Sequence, residues 1–163
     1  MDTNVLIDTF KFPDDFSVLY NELENRKIIS VTESTIRFEF LRGLRNIKRG
    51  EDLLDQLCGE NHLVLQPDKE TFEKALQISQ IYLQTDNTQT KIADVIIAAQ
   101  IAKFAKNPGN ATELLLATQN HMDFPPVLFQ RVQELLITLA DGSIKIIGFY
   151  RFRLDRFNEL KSK

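Results

Sequence analysis

The sequence predicts an α/β layered domain, and three observations carry that prediction. Segments with helical periodicity alternate with short apolar runs along most of the chain. The 163 residues, 43% hydrophobic and 26% charged, suit one folded core and argue against disorder. Four stretches also place carboxylates beside apolar runs, where burial is costly unless a cation or hydrogen-bond donors compensate.

A short helix is expected from Thr3, with Asp2 available as its cap. Pro13 suits a first helical position, and Asp14 to Asn25 read as a helix through Phe16, Leu19, Tyr20 and Leu23. Ile28 to Val31 form a short apolar strand in this reading. Thr32 to Arg45 follow as a helix with Ile36, Phe40, Leu41 and Leu44 inward. Gly50 to Cys58 is a further short helix, and His62 to Leu65 a strand. Pro67-Asp68 opens a long helix whose buried side is Phe72, Ala75, Leu76, Ile78, Ile81 and Tyr82. The polar run Gln84 to Lys91 is a loop.

Helix Ile92 to Ala105 keeps Ile92, Val95, Ile96, Ala99 and Ile101 internal, and Asn107-Pro108-Gly109-Asn110 ends it. Leu114 to Ala117 suits a buried parallel strand. Leu135 to Leu139 and Ile144 to Phe149 flank Asp141-Gly142, a hairpin signal. A basic tail runs from Arg151 through Arg153, Arg156, Lys161 and Lys163. With no repeat or linker, residues 1–163 read as one domain, with core motifs over 1–125 and the hairpin and tail over 126–163.

The net charge of -3 excludes a uniformly basic nucleic-acid binder but allows a local basic face. A single cysteine, Cys58, cannot form an internal disulfide, and no Cys/His cluster suggests zinc. The apolar run Val5 to Ile7 is too short for a signal peptide, and no run approaches the roughly 18 apolar residues of a membrane span. A cytoplasmic protein without membrane contact is expected.

Each acid has a plain structural alternative. Asp2 suits an N-cap, and Glu39 can pair with Arg42 one turn on. Asp94, near the start of a helix, gains from the helix dipole; Asn120 and Asp123 suit an Asx turn. Yet Phe38, Phe40 and Leu41 leave Glu39 little polar surface, and Val95 to Ala99 after Asp94 are uninterruptedly apolar. Gathered carboxylates repel one another and titrate upwards unless a divalent metal lies between them, and oxygen ligands suit Mg²⁺ or Mn²⁺.

Taken in order, these stretches resemble the motifs of the PIN-domain family, especially its small bacterial VapC-like ribonuclease toxins. Asp2-Thr-Asn-Val-Leu-Ile-Asp8 is similar to the first acidic motif, Glu39-Phe-Leu-Arg-Gly43 to the second, Asp94-Val-Ile-Ile-Ala-Ala99 to the third, and Ala117-Thr-Gln-Asn-His-Met-Asp-Phe124 to the fourth. The resemblance covers roughly residues 2–125. It implies a three-layer α/β/α sandwich with a parallel central sheet, and acids at the carboxyl edge of that sheet. It makes Asp2, Glu39 and Asp94 catalytic metal ligands, completed by Asp123 or Asn120, with Asn4 and Thr118 supporting them. One departure stands out: only Met1 precedes Asp2, where family members have a buried strand. The alternatives are a start codon placed too late, a shortened chain, or another segment, such as Ile144 to Phe149, filling the gap.

The resemblance further implies Mg²⁺- or Mn²⁺-dependent hydrolysis of RNA, a toxin role with a small antitoxin partner, and a homodimer. Its alternatives are a PIN fold without catalysis, serving as a scaffold for RNA or protein, and a DNA-directed nuclease. Arg37, Arg42 and Arg45, with Lys48 and Arg49 nearby, are the expected RNA-phosphate contacts; a solvated helix face is their structural alternative. Tyr150, Phe152 and Phe157 alternate with the tail arginines, and are expected to pin the tail rather than stack bases. His121, in the fourth motif, reads as a solvated loop residue, with substrate contact as its alternative.

Overall fold

The computed structural model describes residues 1–59, 64–85, 90–105 and 114–162. Two compact units divide the chain. The first comprises Met1–Leu65, Ala117–Gln119 and Glu134–Gly148; the second comprises Gln66–Leu116, Asn120–Gln133 and Phe149–Lys163.

The first unit holds helices α1 (Thr3–Lys11), α2 (Ser17–Asn25), α3 (Ser34–Arg42) and α4 (Ile47–Cys58), with strands β1 (Thr32–Glu33) and β2 (Val64–Leu65). α1 begins where expected because the Asp2 carboxylate accepts a 2.7 Å hydrogen bond from the Thr3 backbone N–H. Val5 and Leu6 then fall on its fully buried face, against α3, where Phe10 meets Phe40 edge-on at 6.0 Å. α4 starts three residues earlier than the expected Gly50, because Asn46 caps it through the Arg49 N–H. Gly50 is instead the point of closest approach to the preceding segment. A Cβ there would lie 2.4 Å from Leu44 Cδ1 and 2.9 Å from Leu41 Cδ2.

Two other expectations are corrected here. Residues 13–16 form a turn, and α2 begins only at Ser17. Ile28 to Val31 do not form a strand. Lys27 ends α2 in the left-handed region at φ 53°, with the Ile28 N–H bonded to the Leu23 carbonyl, and Ile29 is 84% exposed. The pairing falls to Thr32 and Glu33, which lie parallel to Val64 and Leu65. This ladder has two strands, and they are parallel. Beside it, the Met1 amine donates to the Val31 carbonyl at 3.1 Å, and the Asp2 N–H to the Ala117 carbonyl at 2.9 Å. The Ile144 strand, a candidate for the place ahead of Asp2, joins a different sheet.

That second sheet has the order β3-β5-β4, from β3 (Leu116–Thr118), β4 (Phe129–Thr138) and β5 (Ile144–Phe152), and its strands run through both units. The hairpin signalled by Asp141-Gly142 forms, with Gly142 at φ 83° and Asp141 accepting from the Ser143 backbone and hydroxyl.

The second unit contains α5 (Lys69–Thr85), α6 (Ile92–Phe104) and α7 (Leu154–Leu160). α5 packs on α6, and its buried residues are Thr71, Ala75, Ile78, Ile81 and Tyr82. Phe72 and Leu76, expected inside, are exposed at 53% and 62%. They occupy the row next to the contact stripe, which one helix neighbour does not cover. Ile92 is likewise exposed at the first position of α6, whereas Val95 to Ala102 are all buried. The expected basic tail is not a tail: Arg151 belongs to β5, and α7 follows. Phe152 and Phe157 are buried with ring centroids 5.6 Å apart. Gln84 and Thr85, expected in a loop, end α5. The expected strand residue His62, the Asn107 to Asn110 stop, residues 86–89 of the expected loop and Lys163 lie outside the described residues.

Candidate functional site

Asp2 is 6% exposed and accepts through both carboxylate oxygens. Oδ1 takes the Thr3 N–H at 2.7 Å; Oδ2 takes Asn4 Nδ2 at 2.8 Å and the Thr118 hydroxyl at 2.6 Å. Asn4 also donates to Thr118 Oγ1 at 3.2 Å, and its own oxygen accepts the Gln119 N–H at 3.1 Å. The start of α1 and the end of β3 are thus tied by side-chain hydrogen bonds. The carboxylate is oriented by groups over a hundred residues away in sequence.

Glu39 lies on α3, half-buried, and its Oε2 accepts from the Thr3 hydroxyl at 3.0 Å. Thr3 therefore touches both acids: its backbone N–H serves Asp2 and its hydroxyl serves Glu39. The sequence reading gave Thr3 no role. Its signal is the hydroxyl directly after the capping Asp, on the helix face turned to α3. The expected alternative of a Glu39–Arg42 pair gives way to other contacts. The Arg42 guanidinium lies over the Phe38 ring at 5.7 Å, and Arg37 bridges to Glu51 of α4 at 2.8 Å. Arg49 sits 4.8 Å from the Phe10 ring centroid, and Arg45 is exposed.

A second buried carboxylate of this unit escaped the sequence reading. Glu33 is 3% exposed and caps α3, accepting from the Thr35 and Ile36 N–H groups at 2.7 and 3.3 Å and from the Ser34 and Thr35 hydroxyls. Glu-Ser-Thr ahead of the helical stripe is the signal for it.

The second unit holds the remaining predicted site residues. Asp94 is half-buried in the first turn of α6, whose N-cap, Lys91, supplies no side-chain cap bond. Its charge is favoured there by the helix dipole. Asn120 Nδ2 donates to Asp123 Oδ2, so those two residues act as one unit. His121 is not a solvated loop residue: its Nδ1 lies 2.6 Å from the Tyr150 hydroxyl, with the rings tilted at 6.0 Å.

The donor chemistry suits a hard divalent cation, since Asp2 and Glu39 present carboxylate oxygens around one residue. Among the described residues, however, neither unit gathers three or more His, Cys, Asp or Glu side chains closely enough to hold a metal ion.

A family model described as PIN domain matches residues 1–106. The chain belongs to the PIN-domain family. PIN domains have an α/β fold and are generally nucleases, and PIN nucleases generally use divalent metals. The matched span contains Asp2, Asn4, Glu39 and Asp94, and ends ahead of Thr118, Asn120 and Asp123. It is shorter than the region of about 2–125 over which the motifs resemble the family. No match is found among curated proteins or solved structures. No helix among the described residues of this PIN domain is long and apolar enough to cross a membrane.

Proposed function

We propose that this PIN domain is a metal-dependent endoribonuclease hydrolysing RNA phosphodiester bonds, and the toxin of a type II toxin–antitoxin pair. The observation that carries the reading is the Thr3 link between Asp2 and Glu39, in a chain whose family is generally nucleolytic. In this proposal Asp2, Glu39 and Asp94, completed by Asp123 or Asn120, hold Mg²⁺ or Mn²⁺. When bound, the metal supplies an activated water and neutralises charge on the leaving oxygen. Asn4 and Thr118 keep Asp2 in one orientation, and Thr3 does the same for Glu39. Arg37, Arg42 and Arg45 on and after α3 hold RNA phosphates.

The proposal includes a single domain over residues 1–163, with the parallel β1–β2 pair as part of a three-layer sandwich. A cytoplasmic location, a small antitoxin partner and a homodimer belong to the same reading. A second reading, a PIN scaffold without catalysis, is favoured by the lack of a three-acid group among the described residues.

Cleavage of a fluorogenic RNA with Mn²⁺ or with EDTA separates the two, together with thermal melts under the same conditions. The ribonuclease reading expects Mn²⁺-dependent cleavage, reduced about 100-fold or more in Asp2→Asn and Asp94→Asn, and a Mn²⁺-dependent rise in Tm that both variants lose. A parent protein that neither cleaves RNA nor responds to metal supports the scaffold.

A further inference from the structure

The turn from Asn120 to Asp123 lies in the second unit, outside the span matched by the family model. Its outer residues close on each other, since Asn120 Nδ2 donates to Asp123 Oδ2. The two residues between them, His121 and Met122, take no part in that bond. Met122 is 86% exposed, more than any other large apolar side chain among the described residues. A single exposed methionine needs no explanation. This one stands beside an imidazole that the fold has fixed at one edge.

His121 is half-exposed, and its Nδ1 lies 2.6 Å from the Tyr150 hydroxyl. Tyr150 is buried on β5, so the imidazole is anchored to the sheet through one ring nitrogen. The ring planes are inclined at 45° with centroids 6.0 Å apart, so the two rings meet through this bond and do not stack. A hydrogen bond at one nitrogen sets the orientation of the whole ring and decides what the other nitrogen presents. Among the described residues, Nε2 has no hydrogen-bond partner. Neither His121 nor Met122 carries the fixed charge with which Lys and Arg grip phosphate. A planar ring and a polarisable thioether suit the face and edge of a nucleobase instead.

We propose that His121 and Met122 form a ledge that receives one unpaired base of an RNA substrate, with Tyr150 as the positioning residue for His121. The proposal deepens the ribonuclease reading, and rests on it for the choice of RNA. It places a determinant of base preference directly beside the Asn120–Asp123 pair. An uncharged ledge predicts a contribution to affinity that depends on the base and not on salt.

The test is a titration of the full chain, in EDTA, with a short single-stranded RNA of random sequence. The chain has two histidines and two methionines, so one variant of each assigns the His121 ring and Met122 methyl signals by NMR. Both signals should shift as RNA binds. Fluorescence anisotropy in the same buffer should show affinity about 10-fold lower in His121→Ala/Met122→Ala, with the log–log salt slope unchanged. Tyr150→Phe should lose about 3-fold, and should lose nothing further in a His121→Ala background. A purely structural defect from Tyr150→Phe would persist in that background, and thermal melts should show every variant folded. Signals that stay in place while RNA binds, or a double variant that binds like the parent, would overturn the proposal. So would a flatter salt slope in the double variant, because the lost contact would then be to phosphate, and so would a parent that binds no RNA. In each of these cases, Mn²⁺-dependent cleavage by the parent would leave the ribonuclease reading standing. Shifted signals and weakened variants of a parent that never cleaves would keep the ledge and remove the nuclease.

Discussion

Asp2 and Glu33 are both buried carboxylates standing one residue ahead of a helix, and both accept from its first turn. They differ in where the rest of their hydrogen bonds come from. The hydrogen bonds to Glu33 arise within three residues, from Ser34, Thr35 and Ile36, so its carboxylate serves the start of α3. Asp2 gives one oxygen to α1 and has the other gripped by Asn4 and Thr118, the latter 116 residues distant. A cap needs only local donors. The Thr118 bond ties the Asp2 carboxylate to β3 as well as to the start of α1. The Thr3 hydroxyl, turned to Glu39, extends that arrangement to a second acid.

The largest expected effect comes from exchanging the two acids' fates. Asp2→Asn should lower Mn²⁺-dependent RNA cleavage by about 100-fold or more while leaving a cooperatively folded protein. Glu33→Ala should cost about 2 kcal/mol of stability, because buried first-turn N–H groups lose their acceptor, and should leave cleavage per folded molecule unchanged. Chemical denaturation beside a cleavage assay reads both. If the two variants show the same profile, the distinction between cap and site collapses.

A smaller change sharpens the comparison. Thr3→Val keeps the backbone N–H that Asp2 uses and removes the hydroxyl that Glu39 uses. Cleavage should fall about 10-fold with kcat affected, and Thr3→Ser should restore it. A loss of stability that Thr3→Ser does not recover would instead mark Thr3 as packing.

The smallest effect belongs to Asp68, a cap at the surface. It accepts from Lys103 Nζ and from the Thr71 hydroxyl and N–H, and these bonds, the Lys103 one foremost, hold its carboxyl well below the usual carboxylate range. Because the folded value is the lower one, the stabilisation is complete above the ordinary unfolded value near about pH 4. It is lost as pH falls through the depressed folded value. Asp68→Asn should therefore lower Tm slightly at neutral pH, with the difference from the parent vanishing as pH falls, so that the acid limb of a Tm-against-pH curve is flatter. An acid limb identical to the parent's would show that the cap carries no proton linkage.

The comparison also explains what could be read from the chain. Asp2 ahead of Thr3, and Asp68 ahead of α5, are legible because capping depends on neighbours in sequence. The Asp141-Gly142 turn is legible for the same reason. Phe72, Leu76 and Ile92 misled because periodicity shows which residues are apolar, not how wide a stripe the neighbouring helix covers. Ile28 to Val31 misled because a strand needs a paired edge, and the composition of the run does not supply one.

The sequence by itself determined the α/β class, most helix positions, the Asp2 cap and the ordered motifs that agree with the PIN family. Those properties depend on residues within a turn or two of one another. Tertiary structure decided that Thr3 joins Asp2 to Glu39, that Thr118 holds Asp2, and that His121 meets Tyr150. These pairings form across separate elements, and side-chain hydrogen bonds are set by distance in space, which local patterning does not encode.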